Sequence, residues 1–428
     1  MNNANIPYRL SEIVSNQGIR LSHAAAKPGH HCPMHTALSA LRHIQGVSTL
    51  VVGMPECSFY SRYVIEGLPG GEELHYTYVL DSNEVVFGCR DGLMKALQVM
   101  QEDGAKAIMV IMTCIPALIG EDIAEITNTF SEHNICKATC IDMAHYKRNG
   151  YNVGFYDSYA ALLELAPLNE DITKEGINEV AILGAVKGLE GDRLKQWLKD
   201  NSYEILEVGP RVSLELFSKV KESKLNIVAH MNYLPLAKRL EKEYDIPFIF
   251  LSGDYGVKDI HQCYEKIKDL LNLSDIPQFK YSNQVERMEE IMREELHGGR
   301  FIISSEVDHV LPLTAYLCSL GMKPCFLHIE EYQPWMNEWK EKILSYEEDP
   351  LISFVVQENI EKAVLDHSGF GDEKGLRVSI GAVQLELESV CSIQGRRAFI
   401  PPLLGYERTY YILDMLGKAV KEENHAII

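Results

Sequence analysis

AIMVIMTCIPALIGEDIAEI, residues 107–126, reads as strand, thiol and helix in direct succession. The run AIMVIM, residues 107–112, is short, unbroken and uncharged. That is the pattern of a strand buried on both faces of a parallel sheet. Thr113 and Cys114 end it. IPALIGED then begins a helix whose first amide groups face the Cys114 side chain. Such amides lower a thiol pKa and hydrogen-bond to a thiolate. A thiolate at the carboxyl end of a strand lies on the functional edge of an open α/β sheet.

The same grammar recurs upstream. In STLVVGMPECSFYSR (48–62) a strand breaks into a loop just before Cys57. HHCPMHTALSALRHIQG (30–46) places Cys32 ahead of a helix, and VVFGCRDGLMKAL (85–97) places Cys89 between a strand and a helix. Cys32, Cys57 and Cys114 on one sheet edge can hold a soft metal centre. Taken singly, each cysteine reads more simply as a small buried hydrophobe. No CxxC pair occurs, and the histidines around Cys32 lack the spacing of a zinc ribbon or finger, which argues against zinc. His31 and His35 are candidates to hydrogen-bond a cluster sulfide or relay protons. Glu121 and Asp122 read as first-turn residues favoured by the helix dipole, with a docking surface as the alternative.

Working outward, strands are expected at 48–54, 83–88, 107–112 and 135–142, with amphipathic helices after or between them. A second block opens at NEVAILGAV (178–186) and continues through YEILEVGP (203–210), KLNIVAH (224–230) and IPFIFL (246–251). A third begins with GRFIISSEVDHVLPLTAYLCSLGMKPCFLHI (299–329), followed by ISFVVQE (352–358) and a C-terminal amphipathic helix. The stretch 272–299 reads as a long polar helix linking the last two blocks. Alternation of this kind means parallel sheets with crossover helices. The expected fold is α/β: three Rossmann-like domains with parallel sheets flanked by helices around a central cleft. The expected boundaries are 1–170 for the cysteine-bearing domain, 171–285 for the second and 286–428 for the third.

A chain of 428 residues exceeds what one hydrophobic core serves, in keeping with several domains. A formal charge of −20 argues against nucleic-acid partners and anionic membranes. The start, MNNANIPYRLSEIV, lacks a signal peptide's basic and apolar regions, and no apolar run reaches the ~18 residues of a membrane span. The expected location is cytoplasmic, where ten cysteines should not form a disulfide framework. There is no GxxxxGK[ST] loop to cradle phosphates and no GxGxxG after a strand. An electron-transfer role would therefore need a partner as electron donor.

These strings resemble the nitrogenase component 1 family, which includes the molybdenum–iron protein subunits, a cofactor-assembly scaffold and dark-operative protochlorophyllide reductase. The resemblance rests on Cys32 ahead of its helix, on TLVVGMPECSFYSR around Cys57, and on TCIPALIGEDI at 113–123, which is similar to the family's Cys-x-x-x-Leu-Ile-Gly-Asp-Asp. Weaker likenesses follow at 149–151, at LNIVAHMNY (225–233) and at PLLGYER (402–408). The resemblance implies an iron–sulfur cluster at Cys32, Cys57 and Cys114 near a subunit interface. Cys89 stands where the family usually has glycine, which makes it a candidate fourth ligand or a packing residue. The cluster implied is either one four-iron [4Fe-4S] centre in each chain or an eight-iron cluster between subunits.

The resemblance also implies an ATP-hydrolysing iron protein as electron donor, and an identical or paralogous second subunit. Arg211, Tyr233 and Arg408 would line the cleft where the family binds substrate. Two departures narrow the reading. The positions that hold the family's molybdenum cofactor fall at or near Ala229 and at Leu404, neither of which ligates a metal. His230 is adjacent to the first. No molybdenum cofactor and no dinitrogen reduction are expected. The implied activity is reduction of another substrate, with tetrapyrroles, thioethers and bound cofactor precursors as family precedents. The alternative is a non-catalytic scaffold for metallocluster assembly.

Overall fold

The computed structural model describes residues 8–15, 32–67, 73–147, 150–166, 178–209, 211–304, 307–329, 331–353, 376–381, 391–394 and 403–426. Fourteen strands among them form three sheets, and the chain divides into two compact units. One unit comprises Lys27–Ala185 with Tyr203–Phe248; the other comprises Met1–Ala26, Val186–Ser202 and Ile249–Ile428. The first strand, β1 (Tyr8–Arg9), finds its partner only near residue 351.

In the first unit, β2 (Val47–Gly53), β3 (His75–Val79), β4 (Ala107–Met112) and β5 (Lys137–Asp142) form a parallel sheet in the order β3-β2-β4-β5. All seven residues of β2 are buried, as the continuous apolar run implied. Leu50, Val52, Ile108 and Val110 from the two central strands share a core cluster with Leu93, Leu97, Ile126 and Phe130 from two crossover helices, Arg90–Glu102 and Ile123–His133.

The expected strand at 83–88 is a helical turn, Glu84–Phe87, and the sheet's edge strand is instead HYTYV at 75–79. The Asp81 carboxylate explains the difference. It accepts the N–H groups of Asn83 (2.7 Å) and Glu84 (2.9 Å), while the Glu84 carboxylate accepts the N–H of Asp81 (3.0 Å). This reciprocal capping outweighs the strand preference of two valines.

A second sheet holds β6 (Glu179–Leu183), β7 (Glu204–Val208), β8 (Leu225–Val228) and β9 (Phe248–Phe250) in the order β7-β6-β8-β9. The pairs of β6 with β7 and with β8 are parallel.

The other unit is built on β10 (Arg300–Ser304), β11 (Lys323–His328), β12 (Leu351–Ser353), β13 (Arg377–Gly381) and β14 (Cys391–Gln394). These strands are parallel, and β1 closes one edge antiparallel to β12. The polar helix expected over 272–299 is confined to Ser282–Glu295. The C-terminal helix, Gly405–Ala426, is locked at its start to the helix Gly188–Asp200. The Glu190 carboxylate accepts the N–H of Glu407 (2.7 Å), and the Glu407 carboxylate accepts the N–H of Glu190 (3.0 Å). Each helix thus satisfies an orphan amide in the first turn of the other. Arg408, fully buried, donates to the carbonyls of Ser252 (2.9 Å) and Asp254 (2.7 Å) and lies over the Tyr255 ring.

Candidate functional site

The first sheet reverses its strand order between β2 and β4, because β3 lies beyond β2 and β5 beyond β4. The crevice outside the carboxyl ends of two such strands is where open α/β sheets bind ligands. Cys57 and Cys114 flank it. Cys57 is the third residue of the helix Pro55–Gly67 that follows β2, and Cys114 is the first residue of the helix Cys114–Ile119 that follows β4. Thr113 ties the two exits together, since its N–H (3.1 Å) and its hydroxyl (2.8 Å) both donate to the carbonyl of Val52. A Cβ added at Gly53 would overlap the Thr113 hydroxyl and approach the Cys57 sulfur to 3.3 Å. Only glycine allows this close approach.

Cys32 arrives from a third direction, at the N-cap of the helix Pro33–Leu41. That helix packs against the helix Val153–Leu165 so closely that a Cβ on Gly154 would overlap the carbonyl of Pro33. Burial pushes the Cys32 thiol up to about 12, while the N–H groups of Met34 and His35 lower it. The Cys114 and Cys57 thiols raise it further. All three are half-buried, as are Cys140 and Cys325, while Cys89, Cys136, Cys263 and Cys318 are buried.

The string 113–126 forms two helices rather than one. Gly120 ends the first in the left-handed conformation, and the Asp122 carboxylate caps the second by accepting the N–H of Glu125 (3.0 Å).

Among the described residues no three His, Cys, Asp or Glu donors converge on the position of a single metal ion. Three thiolates spread around a crevice fit a polynuclear iron–sulfur centre better, because there each thiolate holds a different iron. The donor chemistry is soft and anionic once deprotonated, as such a centre requires.

Cys89 is the most enclosed of the candidate thiols. It occupies the N-cap of the helix Arg90–Glu102 and is 1% exposed, within the core cluster. Burial pushes its thiol up to about 12, and the carboxylates of Glu121 and Glu84 add to this. The Glu121 carboxylate also accepts the N–H of Cys89 at 3.1 Å.

His35 donates its backbone N–H to the carbonyl of Cys32 (3.1 Å), and its ring lies 6.2 Å from that of Tyr60. His31 lies outside the described residues. Ala229 and Leu404 are both buried. His230 caps the turn Met231–Tyr233, its Nδ1 accepting the N–H of Asn232 at 3.2 Å. Tyr233 stacks on Tyr159 at 4.2 Å, and Arg211 adopts a positive φ of 69°.

Sequence reading missed His145. Its Nδ1 lies 2.9 Å from the Cys114 sulfur. His145 follows the end of β5, the strand beside β4, so its place three residues past that strand was the available signal.

The chain belongs to the nitrogenase component 1 type oxidoreductase family, whose family model matches residues 32–366. Among individual relatives, it is similar to the nitrogenase iron-molybdenum cofactor biosynthesis protein NifE of Clostridium pasteurianum, at 28% identity over 52% of this chain and 49% of that protein. NifE of Methanosarcina barkeri is 26% identical over 57% of this chain and 56% of its own length. The matches thus span about half the length of these curated relatives. One of the subunits of the light-independent protochlorophyllide reductase of Synechocystis sp. is 21% identical over 79% of this chain and 72% of its own. The solved structure of nitrogenase Cp1 at pH 6.5 superposes with a TM-score of 0.67 at 14% identity, covering 96% of this chain and 95% of that one, which shows a common fold. No helix among the described residues is long and apolar enough to cross a membrane.

Proposed function

We propose that this chain is the cluster-bearing component of a nitrogenase-like reductase, and that its substrate is not dinitrogen. Cys32, Cys57 and Cys114 would hold an iron–sulfur cluster, supplied with electrons by an ATP-hydrolysing iron protein. When bound, such a cluster supplies reversible one-electron chemistry at a potential set by burial and by hydrogen bonds to sulfur. The observation that carries the reading is the position of Cys57 and Cys114 just past the two strands that flank the switch point of one parallel sheet, with Cys32 at a third helix start whose thiol responds to both.

The chain's own residues provide the frame. Gly53 and Thr113 fix the spacing of Cys57 and Cys114, and the buried strands beneath keep water from one side. Ala229 and Leu404 offer no ligand for a molybdenum cofactor.

A second subunit, identical or paralogous, would cover this face. The helix Pro55–Gly67 buries only Ser61 and leaves Phe59 and Tyr63 67% and 72% exposed. Phe87 and Leu118, on the short helices before Cys89 and after Cys114, are exposed as well. Exposed apolar side chains on and beside the helices that carry Cys57 and Cys114 favour a protein partner over solvent. The cluster would be a [4Fe-4S] centre or an eight-iron cluster shared across that interface.

Anaerobic reconstitution with ferrous iron and sulfide, followed by metal analysis and electron paramagnetic resonance, tests the reading. Less than roughly one iron per chain would overturn it, because even the smallest cluster of this type contains more. A second reading, a scaffold that carries a metallocluster during assembly, is favoured by the likeness to two proteins named for cofactor biosynthesis. Reduction by a reduced iron protein with ATP supports the reductase. Transfer of the cluster to a metal-free acceptor, independent of any substrate, supports the scaffold.

A further inference from the structure

We propose that His145 is a positioning residue for the cluster site, donating a hydrogen bond from Nδ1 to the Cys114 sulfur. The proposal rests on the reading of the cysteine trio as a cluster site.

The contact is built into the fold rather than left to a mobile side chain. His145 sits in the loop after β5, and that loop is pinned at several points. The N–H of Met143 donates to the carbonyl of Met112 (2.8 Å), at the end of the strand that leads to Cys114. The Asp142 carboxylate accepts the N–H of Ala144 (3.0 Å) and pairs with Lys147 (2.6 Å). The N–H of Lys147 closes the turn on the carbonyl of Ala144 (3.0 Å). The imidazole is thereby brought to 2.9 Å from the Cys114 sulfur.

The direction of this hydrogen bond follows from proton counting. A free thiol carries its own hydrogen and donates to Nδ1. A metal-bound thiolate carries none, because metal binding releases that proton to solvent. The contact then persists only if the ring hydrogen sits on Nδ1, with Nε2 left as the acceptor; a neutral imidazole does this by exchanging tautomer. A donor aimed at a ligating sulfur withdraws charge from it and stabilises the reduced, more negative state of a cluster. Neither Cys57 nor Cys32 shows a side-chain donor of this kind among the described residues, so His145 would make the trio unequal.

The test compares wild type, His145→Ala and His145→Gln after anaerobic loading with ferrous iron and sulfide. The readouts are iron content, midpoint potential from a spectroscopic redox titration, and the shift of iron–sulfur stretching frequencies in D2O. Expected is equal iron in all three, a lower midpoint potential and a lost D2O shift in His145→Ala, and partial recovery of both in His145→Gln, whose amide can donate. An unchanged potential and D2O shift in His145→Ala overturn the proposal. So does loss of iron in that variant, which would make His145 a ligand. Failure of wild type to take up iron overturns the cluster reading itself, and this inference with it.

Discussion

Replacing Glu190 by Gln should remove one pH-dependent contribution to stability between pH 5 and 7, read as the difference between wild type and variant. Glu190 is 4% exposed. Burial raises its carboxyl to about 7, against the lowering effect of the Tyr264 hydroxyl and the N–H groups of Glu407 and Tyr406. The Tyr264 hydroxyl donates to it at 2.7 Å and the N–H of Glu407 at 2.7 Å. In the unfolded chain the same carboxyl titrates near its ordinary value of 4.5. The folded protein therefore binds a proton more tightly than the unfolded one. Its contribution to stability is complete below about pH 4.5, shrinks as pH rises, and is lost above about pH 7. At 1.36 kcal/mol per unit, the span is about 3 kcal/mol. Glutamine stays neutral throughout, so that slope disappears. Its amide cannot accept at both positions, and the lost hydrogen bond costs roughly 1–2 kcal/mol at every pH.

The two stability curves should thus cross: Glu190→Gln less stable at pH 5, and equal to or more stable than wild type at pH 8. Urea unfolding followed by circular dichroism at half-unit pH steps measures this. Hydrogen exchange of the first amides of Gly405–Ala426 localises it. A difference between wild type and variant that stays constant from pH 5 to 7 would refute the contribution assigned to Glu190.

Cys57→Ser and Cys114→Ser should each lose most of the iron taken up on reconstitution. Cys89→Ser should keep it and lose roughly 1–2 kcal/mol of stability, because a hydroxyl replaces a thiol in a buried core; iron loss in Cys89→Ser matching Cys114→Ser would make it a ligand. Gly53→Ala should lower iron uptake while leaving the far-ultraviolet spectrum intact, at a stability cost of about 1–3 kcal/mol, as the new methyl group pushes Thr113 from the Cys57 side. Phe87→Asp should shift the assembly toward monomer in analytical ultracentrifugation, with little change in thermal stability, since that side chain is 85% exposed within the chain. An unaltered sedimentation profile would remove Phe87 from the interface.

Much of the fold was legible in sequence because strand and helix periodicity are local properties. AIMVIM became β4 at its expected bounds, and the apolar run at 48–54 became β2 to within a residue. The placement of Cys32, Cys57 and Cys114 at element boundaries followed from the same local signals. Residues 83–88 failed as a strand because a carboxylate at Asp81, just outside the apolar run, capped a helical turn.

Tertiary structure alone decided the rest, since it depends on which distant segments meet. The order β3-β2-β4-β5 set Cys57 and Cys114 on either side of one crevice and brought His145 from the neighbouring strand to the Cys114 sulfur. Packing, not spacing, buried the Cys89 thiol and set its N–H on the Glu121 carboxylate. The chain also sends Val186–Ser202 out of one unit and into the other, where Glu190 meets Glu407 across 217 residues of sequence. No local pattern encodes such a contact: it forms because two helix starts, each with unsatisfied amides, can be buried only if each supplies the other's acceptor.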